Sequence, residues 1–336
     1  MKAAICGVAC YFPEQVLTND RLALEYPDWS AQKIEQKTGI QERHIASTEE
    51  CASDLATAAG LELFKHGLCA PEEIDYLLLC TQSPDYFLPT TACLVQERLG
   101  LRTSCGAMDF NLGCSGFVYG LGLAKGLIET GQASNVLLIT AETYSKHIHP
   151  GDKSVRTIFG DAASATLVQA VNSDHERIGP FVYGTDGRGA KNLIVPAGGL
   201  RMAQIADPEL VEDASGNKRT VNNLYMNGAE IFTFTLRIVP ETVSTLLAKS
   251  GKKMEDIDLF IFHQANRYML DHLRRKLGIP EEKLPITMAH CGNTVSSSIP
   301  VLLKDLEKDG RLKQGQCLML LGFGVGYSWG GAIVNW

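Results

Sequence analysis

This sequence predicts an α/β architecture built from two related halves, and three observations carry that expectation. Short continuous apolar runs, YLLLC at 76–80 and LFIF at 259–262, have the make-up of strands buried on both faces. Amphipathic stretches of helical period separate such runs, the alternation expected when helices cover a largely parallel sheet. The order of elements in the first half then returns in the second after roughly 165–180 residues. The boundary falls near residue 171 and defines segments 1–171 and 172–336.

Taken in order, MKAAICGVACYF reads as a first strand. A helix follows over about 53–66, then the buried strand in EIDYLLLCTQ (73–82), then a helix at 91–101 closing on Gly100. Glycine there suits the left-handed residue that ends a helix. GAMDFNLGCSGFVYGLGLAKGLIETG (106–131) reads as strand, turn and helix, and NVLLIT (135–140) and FGDAASATLVQA (159–170) as strands. The second half repeats the series. A helix spans about 239–251, DIDLFIFHQ (256–264) holds a strand, and a helix at 268–279 closes on Gly278. ITMAHCGNTVSSSIPVLLKDLEKDG (286–310) again reads as strand, turn and helix, and CLMLLGFG with FGVGYSWGGAIVNW supplies the last strands. Residues 184–224 break the pattern. They are polar and rich in Gly, Asp and Asn, and a loop of that length is either a surface insertion or a cover over a substrate.

Composition narrows the function. The 336 residues carry a net charge of −7, with 45% hydrophobic and 21% charged residues, the balance of an ordinary globular protein. The acidic total argues against general nucleic-acid binding. No apolar run reaches the roughly 18 residues of a membrane span, and the opening segment meets Pro13 and Glu14 too soon for a secretory leader. The ten cysteines show no CxxC pair and sit mostly in apolar runs, so they are read as free thiols in a reducing cytoplasm. His147 and His149 form an HxH with no evident third metal ligand.

Three residues stand out chemically. Cys114 lies at a strand-to-helix turn among small residues. Free N–H groups and the helix dipole at such a turn favour a thiolate and lower a cysteine pKa from about 8.5 into the range of roughly 3.5–7.5. His263 follows the buried strand LFIF, at the carboxyl end where open α/β sheets keep their ligands, although a core or turn histidine has the same pattern. Asn293 occupies nearly the place in the second half that Cys114 occupies in the first, although an asparagine before a helix is also an ordinary N-cap. If a pseudo-twofold relates the halves, the three converge at the centre of the molecule.

GCSGF (113–117), FHQAN (262–266), HCGNT (290–294) and GFGVGYSWGGA (322–332), with TGIQERHIAS (38–47) and FGDAASA (159–165), together resemble ketoacyl-ACP synthase III of the thiolase superfamily. The likeness covers the whole chain in order. It implies the five-layer αβαβα thiolase fold, a homodimer, and acyl-CoA and acyl carrier protein as partners, with no metal or redox cofactor. By the same resemblance Cys114 accepts an acyl group, with the backbone N–H groups of Cys114 and Val325 as oxyanion hole. His263 and Asn293 stabilise the enolate formed when a malonyl thioester loses CO₂. Phe323 shields the site, Asn266 lies near the pantetheine arm, and Leu88 crosses to a partner subunit to close the acyl pocket. Lys37, with Lys33, stands where relatives grip the CoA adenine, and Trp29 is the nearby aromatic. Lys153 replaces an arginine that meets CoA phosphates, and loses its bidentate fork. Arg267, Arg274, Arg275 and Lys276 match the helix that docks carrier protein. Two other functions fit the same sequence: acyl transfer to an amine or alcohol, and a noncatalytic role as a carrier-protein-binding partner. Degradative thiolases fit less well, since the terminal glycine-rich loop holds no second cysteine.

Overall fold

The computed structural model describes residues 1–336. Five strands form the first sheet: β1 (Lys2–Tyr11), β4 (Tyr76–Cys80), β5 (Gly106–Phe110), β6 (Asn135–Glu142) and β7 (Ala162–Val171), in the order β1-β7-β6-β4-β5. A small hairpin, β2 (Gln15–Thr18) with β3 (Glu42–Ile45), stands apart from it. The second sheet has four strands in the order β13-β14-β15-β8: β8 (Ile178–Thr185), β13 (Leu259–Phe262), β14 (Cys317–Gly324) and β15 (Ser328–Asn335).

Helices make the other three layers. α3 (Ala52–Lys65) and α4 (Thr91–Arg98) cover the outside of the first sheet. α5 (Gly116–Glu129) and α9 (Ser298–Lys308) lie between the sheets. α7 (Gly228–Ser250), joined by α8 (Arg267–Leu277), covers the outside of the second. Shorter helices are α1 (Asn19–Glu25), α2 (Ala31–Thr38) and α6 (Lys153–Arg156).

The continuous apolar runs are now explained. Leu77 and Leu79 face α3 and α4 while Leu78 faces the central helices; Phe260 and Phe262 face outward while Leu259 and Ile261 face inward. Because neighbouring side chains point to opposite faces, a strand covered on both sides must be apolar at every position. The glycines of α5 allow close packing: a Cβ on Gly116 would lie 2.2 Å from Cys80 Sγ.

Four expectations are corrected. The sheets are mixed, not largely parallel: β4 pairs parallel with β5 and β6, and β13 with β14, while the remaining pairs are antiparallel. Each sequential strand pair near the end of a segment folds back on itself and needs no helical crossover.

Second, residues 286–290 form no strand. Met288–His290 is a 3₁₀ turn, because the following backbone pairs elsewhere: Asn293 N–H donates to Ile158 C=O at 2.9 Å and Gly160 N–H to Asn293 C=O at 3.1 Å.

Third, the helix expected at 239–251 begins at Gly228, capped by Asn227, whose Oδ1 accepts from Glu230 N–H at 3.2 Å. Pro240, near the start of the expected stretch, sits inside the helix. Burial of Phe234, Ile238, Val239, Val243 and Leu246 offsets the backbone bond it cannot donate. This is the one helix long and apolar enough to cross a membrane by length and composition, yet its apolar side is packed on the second sheet.

Fourth, 184–224 is organised. β9 (Leu193–Ile194) pairs with β12 (Tyr225–Met226), and β10 (Val211–Glu212) with β11 (Lys218–Arg219). Arg219 pins the segment, pairing with Asp152 at 3.0 Å and Asp213 at 3.2 Å and lying 4.9 Å from the Tyr225 ring.

Candidate active site

The turn between β5 and α5 delivers Cys114 to the inner end of the first sheet, where it is 5% exposed. Two glycines of β14 permit this approach. A Cβ on Gly322 would lie 2.5 Å from the Cys114 carbonyl oxygen, and one on Gly324 2.9 Å from Sγ. The backbone N–H groups of Cys114 and Val325 both point at Sγ and favour its ionised form.

Burial, with the Glu142 carboxylate in support, outweighs them and pushes the thiol up to about 12. The low pKa expected from the helix N-terminus is therefore not the state of the free site: a dry pocket and a nearby acid keep the proton on sulfur.

His263 immediately follows β13 and is 2% exposed. Burial draws its pKa down to about 3, so the imidazole is neutral. Its Nδ1 lies 2.6 Å from Ser298 Oγ, and Phe323 meets the ring edge-on at 5.6 Å.

Asn293 is not the N-cap of α9. Its Oδ1 accepts the Val295 N–H at 2.9 Å, which orients the amide and leaves Nδ2 to donate elsewhere. Val295 is held at φ 55°, the one non-glycine residue in the left-handed region. For a β-branched side chain that conformation is strained, and here it aims the N–H at the asparagine.

Cys114, His263, Asn293, Asn266 and Phe323 line one cavity of about 70 Å³. A sulfur nucleophile, two convergent backbone N–H groups and two neutral side chains able to donate hydrogen bonds thus share one dry chamber. That set suits acyl transfer through a thioester, with negative charge on oxygen stabilised at two places. A larger cleft of about 370 Å³, lined by Leu17, Ile45, Lys146 and Arg156, lies on the far side of Phe159 and contains none of these residues.

The other expected residues lie outside this chamber or at its rim. Asn266 is the N-cap of α8, accepting from Met269 N–H at 2.9 Å. Lys33 and Lys37 place their ammonium groups 5.5 and 5.3 Å from the Trp29 ring centre. Lys153, half-buried at the start of α6, reaches toward Gly216. Leu88 is 85% exposed beside Tyr86 and Phe87, away from the cavity of its own chain.

The α8 cations do not form one face. Arg267 and Arg275 are exposed, Arg274 approaches Asp271 and Glu281 at 3.7 and 3.9 Å, and Lys276 donates to the Leu236 carbonyl at 2.7 Å. His147 and His149 gather no third ligand. All ten cysteines are free.

Two residues were missed in the sequence. Glu142 ends β6 wholly buried, accepting from Ser296 Oγ at 2.7 Å and Gln82 N–H at 3.0 Å, and burial raises it to about 8. Its signal is a lone acid at the carboxyl end of an apolar strand. Ser298 opens α9, and only its run of three serines marks it.

The family model described as 3-oxoacyl-[acyl-carrier-protein (ACP)] synthase III matches residues 108–187, and the model of its C-terminal region matches 247–336. The chain is 37% identical to the beta-ketoacyl-[acyl-carrier-protein] synthase III of Caldanaerobacter subterraneus, over 99% of this chain and 98% of that one. Among solved structures, a 3-oxoacyl-(acyl-carrier-protein) synthase III is 59% identical with TM-score 0.99, covering 100% of both chains. The 3-oxoacyl-(acyl-carrier protein) synthase of Burkholderia xenovorans is 38% identical with TM-score 0.91, over 99% of this chain and 94% of that one.

Proposed function

Since this chain belongs to the 3-oxoacyl-(acyl-carrier-protein) synthase III family and is an acyl-transferring condensing enzyme of that kind, we propose that Cys114, His263 and Asn293 are its catalytic residues. The observation that carries this reading is their convergence in one buried cavity, with the N–H groups of Cys114 and Val325 aimed at the sulfur.

In the first half-reaction Cys114 Sγ attacks an acyl thioester. The oxyanion rests on the N–H groups of Cys114 and Val325, the S–acyl bond moves to Cys114, and the thiol proton ends on the departing carrier thiol. In the second, a malonyl thioester loses CO₂. His263 Nε2–H and Asn293 Nδ2–H donate to its carbonyl oxygen as the enolate forms, and the enolate carbon attacks the acyl-Cys carbonyl. The C–S bond breaks, a 3-oxoacyl thioester leaves, and the Cys114 sulfur regains a proton. Neutral donors suit this task, since a depressed His263 pKa leaves an N–H and no mobile charge. Nothing in these steps requires a metal or redox cofactor.

Asn266 and Phe323 line the pantetheine end of the site, supported by their place in the cavity wall. Lys37 and Lys153 meet the distal part of a CoA or carrier arm, and Arg267 and Arg275, the exposed cations of α8 without acidic partners, lead docking of acyl carrier protein. Arg274 and Lys276 contribute less, being already engaged. The enzyme works as a cytoplasmic homodimer. The open edge of β5 and the exposed Tyr86–Leu88 turn support that assembly. Leu88 then reaches the partner's acyl pocket, and its modest size admits longer or branched chains. The halves 1–171 and 172–336 divide the labour, nucleophile in one and enolate donors in the other.

Intact-protein mass spectrometry after incubation with a panel of acyl-CoAs and acyl carrier proteins tests the nucleophile. One acyl adduct per chain is expected, and none in Cys114→Ala; an adduct that survives in the variant would refute the assignment. A preference for acetyl-CoA in the same panel would sink the reading of Leu88.

A further inference from the structure

The enolate-stabilising role depends on which imidazole nitrogen carries the proton. Only Nε2 can face the cavity, because Nδ1 is taken up at 2.6 Å by Ser298 Oγ. Neutral histidine has one N–H, so Nδ1 must be the acceptor if Nε2 is to donate.

The surroundings of Ser298 decide this. The residue is 2% exposed, and its hydroxyl has two neighbours. One is the Gln264 backbone N–H at 3.4 Å, a donor that can only occupy a lone pair of Oγ. The other is His263 Nδ1. With no further acceptor in reach, a Ser298 proton turned away from Nδ1 would be buried without a partner, which costs about 1–3 kcal/mol. The hydroxyl therefore donates to Nδ1, and the imidazole proton moves to Nε2. The other serines of the run are committed elsewhere, Ser296 to Glu142 and Ser297 to Thr140, so neither can substitute.

We propose that Ser298 is a positioning residue that locks His263 in the Nε2–H form, ready to donate to the developing enolate. Its effect on turnover rests on the condensation reading above; its effect on the imidazole does not. Nitrogen-15 NMR of the resting protein, with the His263 signals assigned by their loss in His263→Gln, reads the tautomer directly. Wild type should show a protonated Nε2 and a bare Nδ1. Ser298→Ala should move the population toward Nδ1–H, and Ser298→Thr, which keeps the hydroxyl, should restore it. In parallel, malonyl-thioester decarboxylation should fall about 10²-fold in Ser298→Ala, while acyl loading of Cys114 holds and Ser298→Thr recovers. A wild-type Nδ1–H signal, or a tautomer unchanged in Ser298→Ala, would overturn the proposal, and the wild-type spectrum decides even if the alanine variant does not fold. A correct wild-type tautomer without any decarboxylation would instead count against the condensation reading.

Discussion

At the scale of single residues, the site is governed by burial. His263 and Cys114 both sit in their uncharged forms for the same reason: water is excluded from both. For Cys114 this means that the resting site holds a thiol. Replacing His263 or Asn293 by alanine is expected to cut decarboxylation about 10²–10³-fold with acyl loading largely kept, measured by the two half-reactions separately. Equal loss in both would remove the assignment of these two residues to the second step. Glu142 offers a stability test. Its folded pKa of about 8 lies above the ordinary glutamate value of 4.5, so the folded state holds a proton that the unfolded chain gives up between those values. Stability from this group is present below about pH 4.5 and is lost as pH rises toward 8. Glu142→Gln should therefore gain in melting temperature relative to wild type as pH goes from 5 to 8; a difference that does not change with pH would show the carboxyl to be ionised already.

Among the elements, β14 and its following loop have two jobs. The strand forms the middle of the second sheet, and its glycines admit the Cys114 turn against its edge. Gly322→Ala would put a Cβ 2.5 Å from a backbone oxygen and 2.8 Å from Ser115 Cα, where no flexible side chain can yield. A loss of about 1–3 kcal/mol in denaturant unfolding is expected, together with slower acyl loading. The loop carrying Val325 is held from outside by the 184–224 segment: Asp186 and Tyr327 exchange backbone hydrogen bonds at 2.9 and 2.8 Å, and Asn192 Nδ2 donates to Tyr327 Oη at 2.7 Å. This gives the insertion a structural link to the Val325 N–H that faces Cys114 Sγ.

For the whole molecule, the proposed dimer should appear by light scattering at twice the chain mass. Leu88→Asp should weaken it or, if the dimer holds, alter acyl-chain preference; a wild-type monomer would exclude the partner-borne pocket wall. By itself the sequence determined the layered α/β architecture, because strands covered on both faces must be apolar throughout and helices on the outer faces must be amphipathic. It also singled out Cys114, His263 and Asn293 through their spaced motifs, and the structure brings the three to one cavity. Only the tertiary structure decided what those residues do electrostatically. The elevated Cys114 pKa, the Glu142 acid beside it and the contact between Ser298 and His263 all arise from groups far apart in sequence. The same is true of the missing strand at 286–290 and of Pro240 inside α7. In each case a long-range contact outweighed a local preference, and such contacts leave no periodic trace in the chain.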